Sequence, residues 1–536
     1  MGEADRYYQG GAPPPPQQQS YAHQPQYEQQ PWGNQPHNGH DGYQYPQPTY
    51  GAPPPYSFNP PQPNDTKYSF DEAFKLEKPK YNDIWAGILF LLVCAGYVVV
   101  SAIAIRGYAS GGAPGKGIYA GNTFSLNSNT IILFACVLLI AFVFSYVYVW
   151  LARLFPKQFI WITGILNLVW ALGTAIYYLY KKYWSAGIVF LIFAVFLMFA
   201  FYTWISRIPF SSLMLKTSIN VSKRYGHVYL VSLLGGLLGI AFAAWFTVTL
   251  VAIYVKYEPS PNNPHCRPGG TGCSKGKVIG LIVFITFAMY WISEWLKNTI
   301  HTTISGVYGA WYFSPNNFPQ GATRGAMKRA LTYSFGSISL GSLLIAIVQF
   351  LRQLCSVARQ QAFDDGGIGG IALSVVFCIL GCLLSLLEWA VEFLNRYAFS
   401  HIALYGKAYF PAAKDTWRMI KDRGIDALVN ECLIGPVLSF GALFIGYACA
   451  LFAYLYLLLT HPAYNSNGAY TPVVMAFAFL IGFQTAHVFT TPISSGIDTI
   501  FVASGWDPQV MVHEHPELYQ EMVRVFPQVQ QAIQVR

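Results

Sequence analysis

Residues 84–105 read IWAGILFLLVCAGYVVVSAIAI. Twenty-two consecutive positions carry no charge, and no polar stripe recurs at helical spacing. A surface helix of a soluble protein shows such a stripe; a helix surrounded by hydrocarbon does not. At 1.5 Å per residue the stretch extends about 33 Å, enough to cross a hydrocarbon layer of about 30 Å. It therefore predicts a transmembrane helix. Nine further stretches meet the same requirement: 130–152, 159–180, 185–205, 228–254, 278–297, 333–351, 369–394, 433–458 and 471–491. The expected fold is all-α, a polytopic membrane protein of about ten transmembrane helices. An even number of crossings puts both termini on one side.

Composition agrees. Of 536 residues, 54% are hydrophobic and 11% charged, with mean hydropathy +0.35. Soluble domains carry about 25% charged residues, so there is too little charge to coat a water-exposed surface of this size. A cytosolic or secreted enzyme is excluded on that ground. Residues 1–80 differ from the rest. They are built from Pro, Gln, Tyr, Gly and Asn, as in the runs 13–19 and 43–56. Such a segment cannot bury enough apolar surface to offset chain entropy, so a disordered tail is expected. Its Pro-rich stretches at 12–16 and 52–56 resemble ligands of WW or SH3 modules, which makes cytoplasmic docking partners one reading and an inert tail the other. No apolar run follows Met1, so no cleavable signal peptide is expected. The predicted layout is a tail of 1–80, a membrane domain of 81–508 and a short C-terminal tail of 509–536.

The net charge of +9 marks topology before it marks partners. With the N-terminus inside, 23 Lys and Arg fall on the cytoplasmic side and 10 outside; without the long tail the balance is still 18 to 10. Basic residues concentrate on the cytoplasmic side, so both termini are expected there. Cys266 and Cys273 flank a Pro/Gly turn in the third outside loop. A disulfide is expected between them, against the alternative of two free thiols. The one nearby His, His265, does not complete a zinc set.

Carboxylates within apolar spans cost several kcal/mol and face a partner, a cavity or the interface. Glu294 lies in span six; Glu388 and Glu392 lie four apart on one face of span eight, continued by Asn395. Trp291, Trp295 and Trp389 accompany them. One reading makes these groups a substrate path, together with Asn298 and His301. The other places Glu388 near the inner end of its span, pairs Glu392 with Arg396 one turn on, and assigns the tryptophans to the interfacial belt. His301 itself reads more readily as a satisfied buried histidine than as a proton relay. Span six does not end cleanly: residues 298–313 are too polar for a lipid-facing span and too apolar for an open loop. They are expected to line a cavity or continue as a kinked extension. Small residues at 235–239 and 336–342 fit close helix packing. No P-loop or zinc-protease spacing occurs, and no cofactor, metal or nucleic-acid partner is expected.

Residues 294–313, 333–342 (YSFGSISLGS), 393–407 (FLNRYAFSHIALYGK), 412–417 (AAKDTW) and 497–501 (IDTIF) occur in the order seen in choline transporter-like proteins, which the chain closely resembles. The Pro/Gln/Tyr-rich tail and short outside loops resemble the fungal "pH nine-sensitive" branch. The resemblance covers roughly residues 80–510. It implies a ten-span transporter, a plasma-membrane location, and a small solute such as choline or another organic cation as substrate. A quaternary ammonium lacks N–H donors, so its site needs aromatic faces and negative charge; spans six and eight offer both. Two other readings stand beside the transporter: a membrane-anchored scaffold whose tail recruits soluble partners, and a channel or lipid-handling protein.

Overall fold

The computed structural model describes residues 80–109, 128–225, 227–257, 259, 274–316, 318–364, 366–423, 432–462, 465, 468, 471–527 and 529–532. The tail and the Cys266–Cys273 loop lie outside these described residues. Ten helices, or helix runs, are long and apolar enough to cross a membrane, and no strand occurs among the described residues.

The spans are α1 (Ile84–Ala109), α2 (Ser128–Leu154), α3 (Pro156–Tyr180) and α4 (Trp184–Trp204). The last runs through a short 3₁₀ turn into α5 (Ile208–Arg224). Then follow α6 (His227–Tyr257), α7 (Lys275–Phe313), the short α8 (Ala322–Leu331), α9 (Phe335–Asp364) and α10 (Gly367–Tyr405). The chain continues through α11 (Tyr409–Arg423), α12 (Ile434–Thr460) and α13 (Thr471–Trp506). It closes with α14 (Pro508–Glu514), α15 (Pro516–Val525) and α16 (Val529–Ala532).

Two apolar clusters occupy the half of the molecule remote from the termini. One joins α2, α12 and α13 through Val137, Ala141, Cys449 and Ala478. The other joins α1, α6 and α7 through Tyr97, Ala252, Ile285 and Ala288. Towards the termini the helices meet in one larger core, where Phe210, Tyr308, Tyr312, Tyr397 and Phe501 are buried. Val510, Met511 and Met522 of α14 and α15 enter that core, so the C-terminal segment is packed against the bundle.

Spans six, eight and ten run well past their sequence-based ends at 297, 394 and 491. Of the two expectations for residues 298–313, an extension of the helix is what occurs: α7 is one helix of 39 residues, buried almost throughout from Asn298 to Phe313. Thr299, Thr302 and Thr303 donate to carbonyls of α7 itself, while Asn298, His301, Ser305 and Tyr308 find partners on neighbouring helices, which removes the penalty that hydropathy assigns to them. In α13, Pro492 lies inside the helix and leaves the Val488 carbonyl without its usual i+4 donor. Ser232 of α6 donates to that carbonyl at 2.5 Å. Gly236 allows the approach: a Cβ there would meet Val488 at 2.3 Å.

At the terminal end, a strap leads into α1. Asn82 Nδ2 donates to the Gly406 carbonyl at 2.7 Å. The Asp83 carboxylate accepts from Ser337 Oγ at 2.6 Å and from the Tyr409 backbone N–H at 2.8 Å. Asp83 has φ 51°, a left-handed conformation for a non-glycine residue. Gly336 lies beneath, where an added Cβ would meet the Asp83 carbonyl oxygen at 2.3 Å.

Candidate functional site

Glu294 has 19 residues of α7 on either side of it, and Glu388 lies close to the middle of the 39-residue α10. Both carboxylates therefore sit mid-helix, because both helices continue beyond the apolar runs that mark them in the sequence. Lys297 Nζ bridges two of them, at 3.4 Å from Glu294 Oε1 and 3.1 Å from Glu392 Oε1. Gln349 of α9 donates to the same Glu294 oxygen at 3.1 Å. Arg352 of α9 meets Glu388 at 3.0 Å. The interfacial reading pairs Glu392 with Arg396, but Arg396 instead reaches Asp498 of α13 at 3.3 Å.

These groups form a charged band across α7, α9 and α10. The carboxylates of Glu294 and Glu388 are buried, whereas the side chains of Lys297, Arg352 and Glu392 remain 59%, 48% and 40% open. Glu294 Oε2 is buried without a hydrogen-bond partner. The neighbouring Trp295 indole N–H is likewise buried and unpartnered.

Aromatic rings pack beside this band. Phe90 of α1 stacks on Trp295, with centroids 5.0 Å apart, and meets Trp291 edge-on at 5.4 Å. The Trp291 indole N–H donates to the Ser339 carbonyl at 3.0 Å. Trp389 is apart from this group: it is 64% exposed and stacks on Phe393.

On the terminal side of the band the polar residues are paired across helices. Asn298 Nδ2 donates to Ser342 Oγ at 2.9 Å. Asn395 Nδ2 donates to the Gly341 carbonyl at 2.9 Å, and its Oδ1 accepts from the Tyr409 hydroxyl. His301 joins three helices: Nε2 contacts the Arg396 carbonyl at 2.8 Å and Ser400 Oγ at 3.1 Å, and Nδ1 contacts Ser495 Oγ at 2.8 Å. A carbonyl only accepts, so Nε2 carries the proton and Nδ1 accepts from Ser495. His301 is thus a satisfied buried histidine that ties α7 to α10 and α13.

Glu294, Trp295 and Glu392 are therefore gathered with Lys297, and Trp291 supports them from below. Glu388 forms a second ion pair alongside. Asn298, His301 and Asn395 belong to the adjoining paired seam. Sequence reasoning missed Lys297, Gln349, Arg352 and Asp498. Lys297 had a usable signal, its i+3 spacing from Glu294. A separate crevice of about 350 Å³ between α9 and α10 is lined by Leu351, Leu354, Cys355, Phe377, Leu380 and Leu384. It presents no charge and so cannot neutralise a cation.

The sequence model described as "Plasma-membrane choline transporter" matches residues 188–509, which include the whole band. The chain belongs to the choline transporter-like family. Among its relatives, Protein PNS1 of Gibberella zeae is 72% identical, over 88% of this chain and 87% of that protein. Protein PNS1 of Neurospora crassa is 62% identical, over 87% and 84% respectively. Protein PNS1 of Saccharomyces cerevisiae is 44% identical, over 86% and 87%. The matches extend over most of both chains, as the resemblance in the sequence motifs implies.

Proposed function

We propose that this family member is a transporter or facilitator of a small organic cation, choline being the leading substrate class, in the plasma membrane. Residues 81–508 form the transporting unit, both termini lie in the cytosol, and the chain has no enzymatic activity. The observation that carries the proposal is the half-open charged band in the middle of three apolar helices. Side chains of Lys, Arg and Glu do not face hydrocarbon at that depth; they line a water-filled crevice or pair in the bundle interior. Here they pair and remain partly open, so the crevice is the reading that accommodates both. The Glu294 carboxylate, with its buried unpartnered Oε2, lies on the same helix as Trp291 and Trp295, whose rings pack on Phe90, and negative charge with aromatic faces is the combination that a quaternary ammonium requires.

The test is uptake into vesicles containing the purified protein, using choline, tetramethylammonium and neutral solutes, with and without a pH gradient. Saturable uptake of a cation, diminished in Glu294→Gln, supports the proposal. If no cation accumulates above protein-free vesicles while a neutral solute or lipid crosses, the substrate class is wrong. Removing residues 2–75 separates the scaffold reading: uptake intact without them leaves the bundle as the functional unit.

A further inference from the structure

Helix α11 follows α10 after a sharp turn at Gly406, whose φ of 61° is left-handed. Its inner face, with Tyr409, Ala412, Thr416 and Met419, is buried against the bundle. Its outer face is left uncovered by the described residues. Phe410 and Trp417 stand 61% and 58% exposed there, and Lys414, Arg418 and Lys421 are exposed beside them. The spacing 410, 414, 417, 418, 421 places all five on one side of the helix. Asp415 is half-buried: one carboxylate oxygen holds Lys407 at 2.9 Å and the other lies 3.9 Å from Arg418, whose side chain stays 58% exposed, so with Lys414 and Lys421 the outer face presents positive charge between two aromatic side chains.

The position of this face is fixed by contacts already described. The Asp83 carboxylate caps the first turn of α11 through the Tyr409 N–H, and Asn82 holds the preceding turn at Gly406. The same strap opens α1, whose first turns expose Tyr81, Ile84 and Trp85. Exposed aromatics at the start of a membrane span mark the level of the membrane–water interface. Helix α11 is therefore pinned at that level, on the side where the termini emerge. A helix there with Phe and Trp beside Lys and Arg has the composition of an interfacial helix that immerses its rings at the headgroup boundary and pairs its cations with anionic lipids.

From charge complementarity and this continuity with the spans, the geometry points to α11 as a docking surface for anionic phospholipid headgroups of the adjacent leaflet. Phe410 and Trp417 enter the interface, and Lys414, Arg418 and Lys421 contact phosphate or carboxylate groups. This holds independently of what solute, if any, the bundle moves.

The experiment titrates purified full-length protein in mixed micelles with phosphatidylserine or with phosphatidylcholine and reads the thermal unfolding midpoint. Phosphatidylserine is expected to raise the wild-type midpoint at lower concentration than phosphatidylcholine, and 0.5 M NaCl, roughly a 4–5 Å Debye length, should remove the difference. Each basic residue near an anionic surface contributes about 1 kcal/mol. The triple variant K414Q/R418Q/K421Q should therefore need on the order of 100-fold more phosphatidylserine for the same shift. All three positions are exposed, so the variant is expected to fold; its response to phosphatidylcholine should match wild type and serves as the check. Equal responses of wild type to both lipids overturn the inference. So does an unchanged phosphatidylserine response in the triple variant, which would place the anionic-lipid site elsewhere.

Discussion

Replacing Glu294 by Gln separates a carboxylate kept for function from one kept for stability. Two contributions are lost. The ion pair with Lys297 spans 3.4 Å, a range worth about 1 kcal/mol in water and about 4 kcal/mol near a protein surface. Lys297 is more than half open and keeps Glu392 at 3.1 Å, so the lower figure of about 1 kcal/mol applies. The Gln349 hydrogen bond at 3.1 Å becomes neutral, which forfeits roughly another 1 kcal/mol. Against this, a buried carboxylate with one unpartnered oxygen is replaced by a neutral amide, relieving about 2–3 kcal/mol of charge burial. The net change is within about 1 kcal/mol of zero. At 2–4 °C per kcal/mol, the thermal midpoint of E294Q should lie within about 4 °C of wild type. Cation uptake into vesicles should nevertheless fall at least about tenfold, the effect of losing roughly 1.4 kcal/mol of cation stabilisation. A midpoint lowered by more than about 8 °C would show the carboxylate to be structural, and unchanged uptake with a normal midpoint would remove it from the path.

Three other perturbations have defined outcomes. Ser232→Ala leaves the Val488 carbonyl, exposed by Pro492, without a donor, and should cost about 1–3 kcal/mol in chemical denaturation; no loss would mean that another group takes over the bond. Gly336→Ala drives a methyl into the Asp83 carbonyl, so about 1–3 kcal/mol should be lost, and faster proteolysis near residue 80 should accompany it; an unaltered cleavage rate would contradict the close approach. His515, whose Nε2 meets the Tyr312 carbonyl at 2.9 Å, is held below its ordinary pKa of 6.5 by burial. The unfolded chain then binds the proton more readily, so the contribution of this group is complete above pH 6.5 and is lost as pH falls through the lowered value. Denaturation midpoints should drop from pH 7.5 to 5, less steeply in His515→Gln; parallel slopes would exclude the histidine.

The number and placement of the spans were legible in the sequence because uncharged runs such as 84–105 admit no other environment. Their ends were not. Asn298, His301, Asn395 and Asp498 lower local hydropathy, yet each finds a partner on another helix, and only the folded bundle reveals those partners. The same applies to the candidate site. Glu294, Glu388 and Glu392 stand out as charges in apolar runs, whereas Lys297 and Arg352 fall at the edges of those runs and read as loop charges that mark topology. Pairing Glu392 with Arg396 follows from helical spacing alone. Asp498 of α13, distant in sequence, competes for that guanidinium and takes it.

The knot at Asp83 has a mechanical consequence. Before α1 begins, Asn82 holds the Gly406 carbonyl, and the Asp83 carboxylate grips at once the foot of α9 and the first turn of α11. A pull applied at this strap is therefore delivered together to the turn that joins α10 to α11 and to the foot of α9.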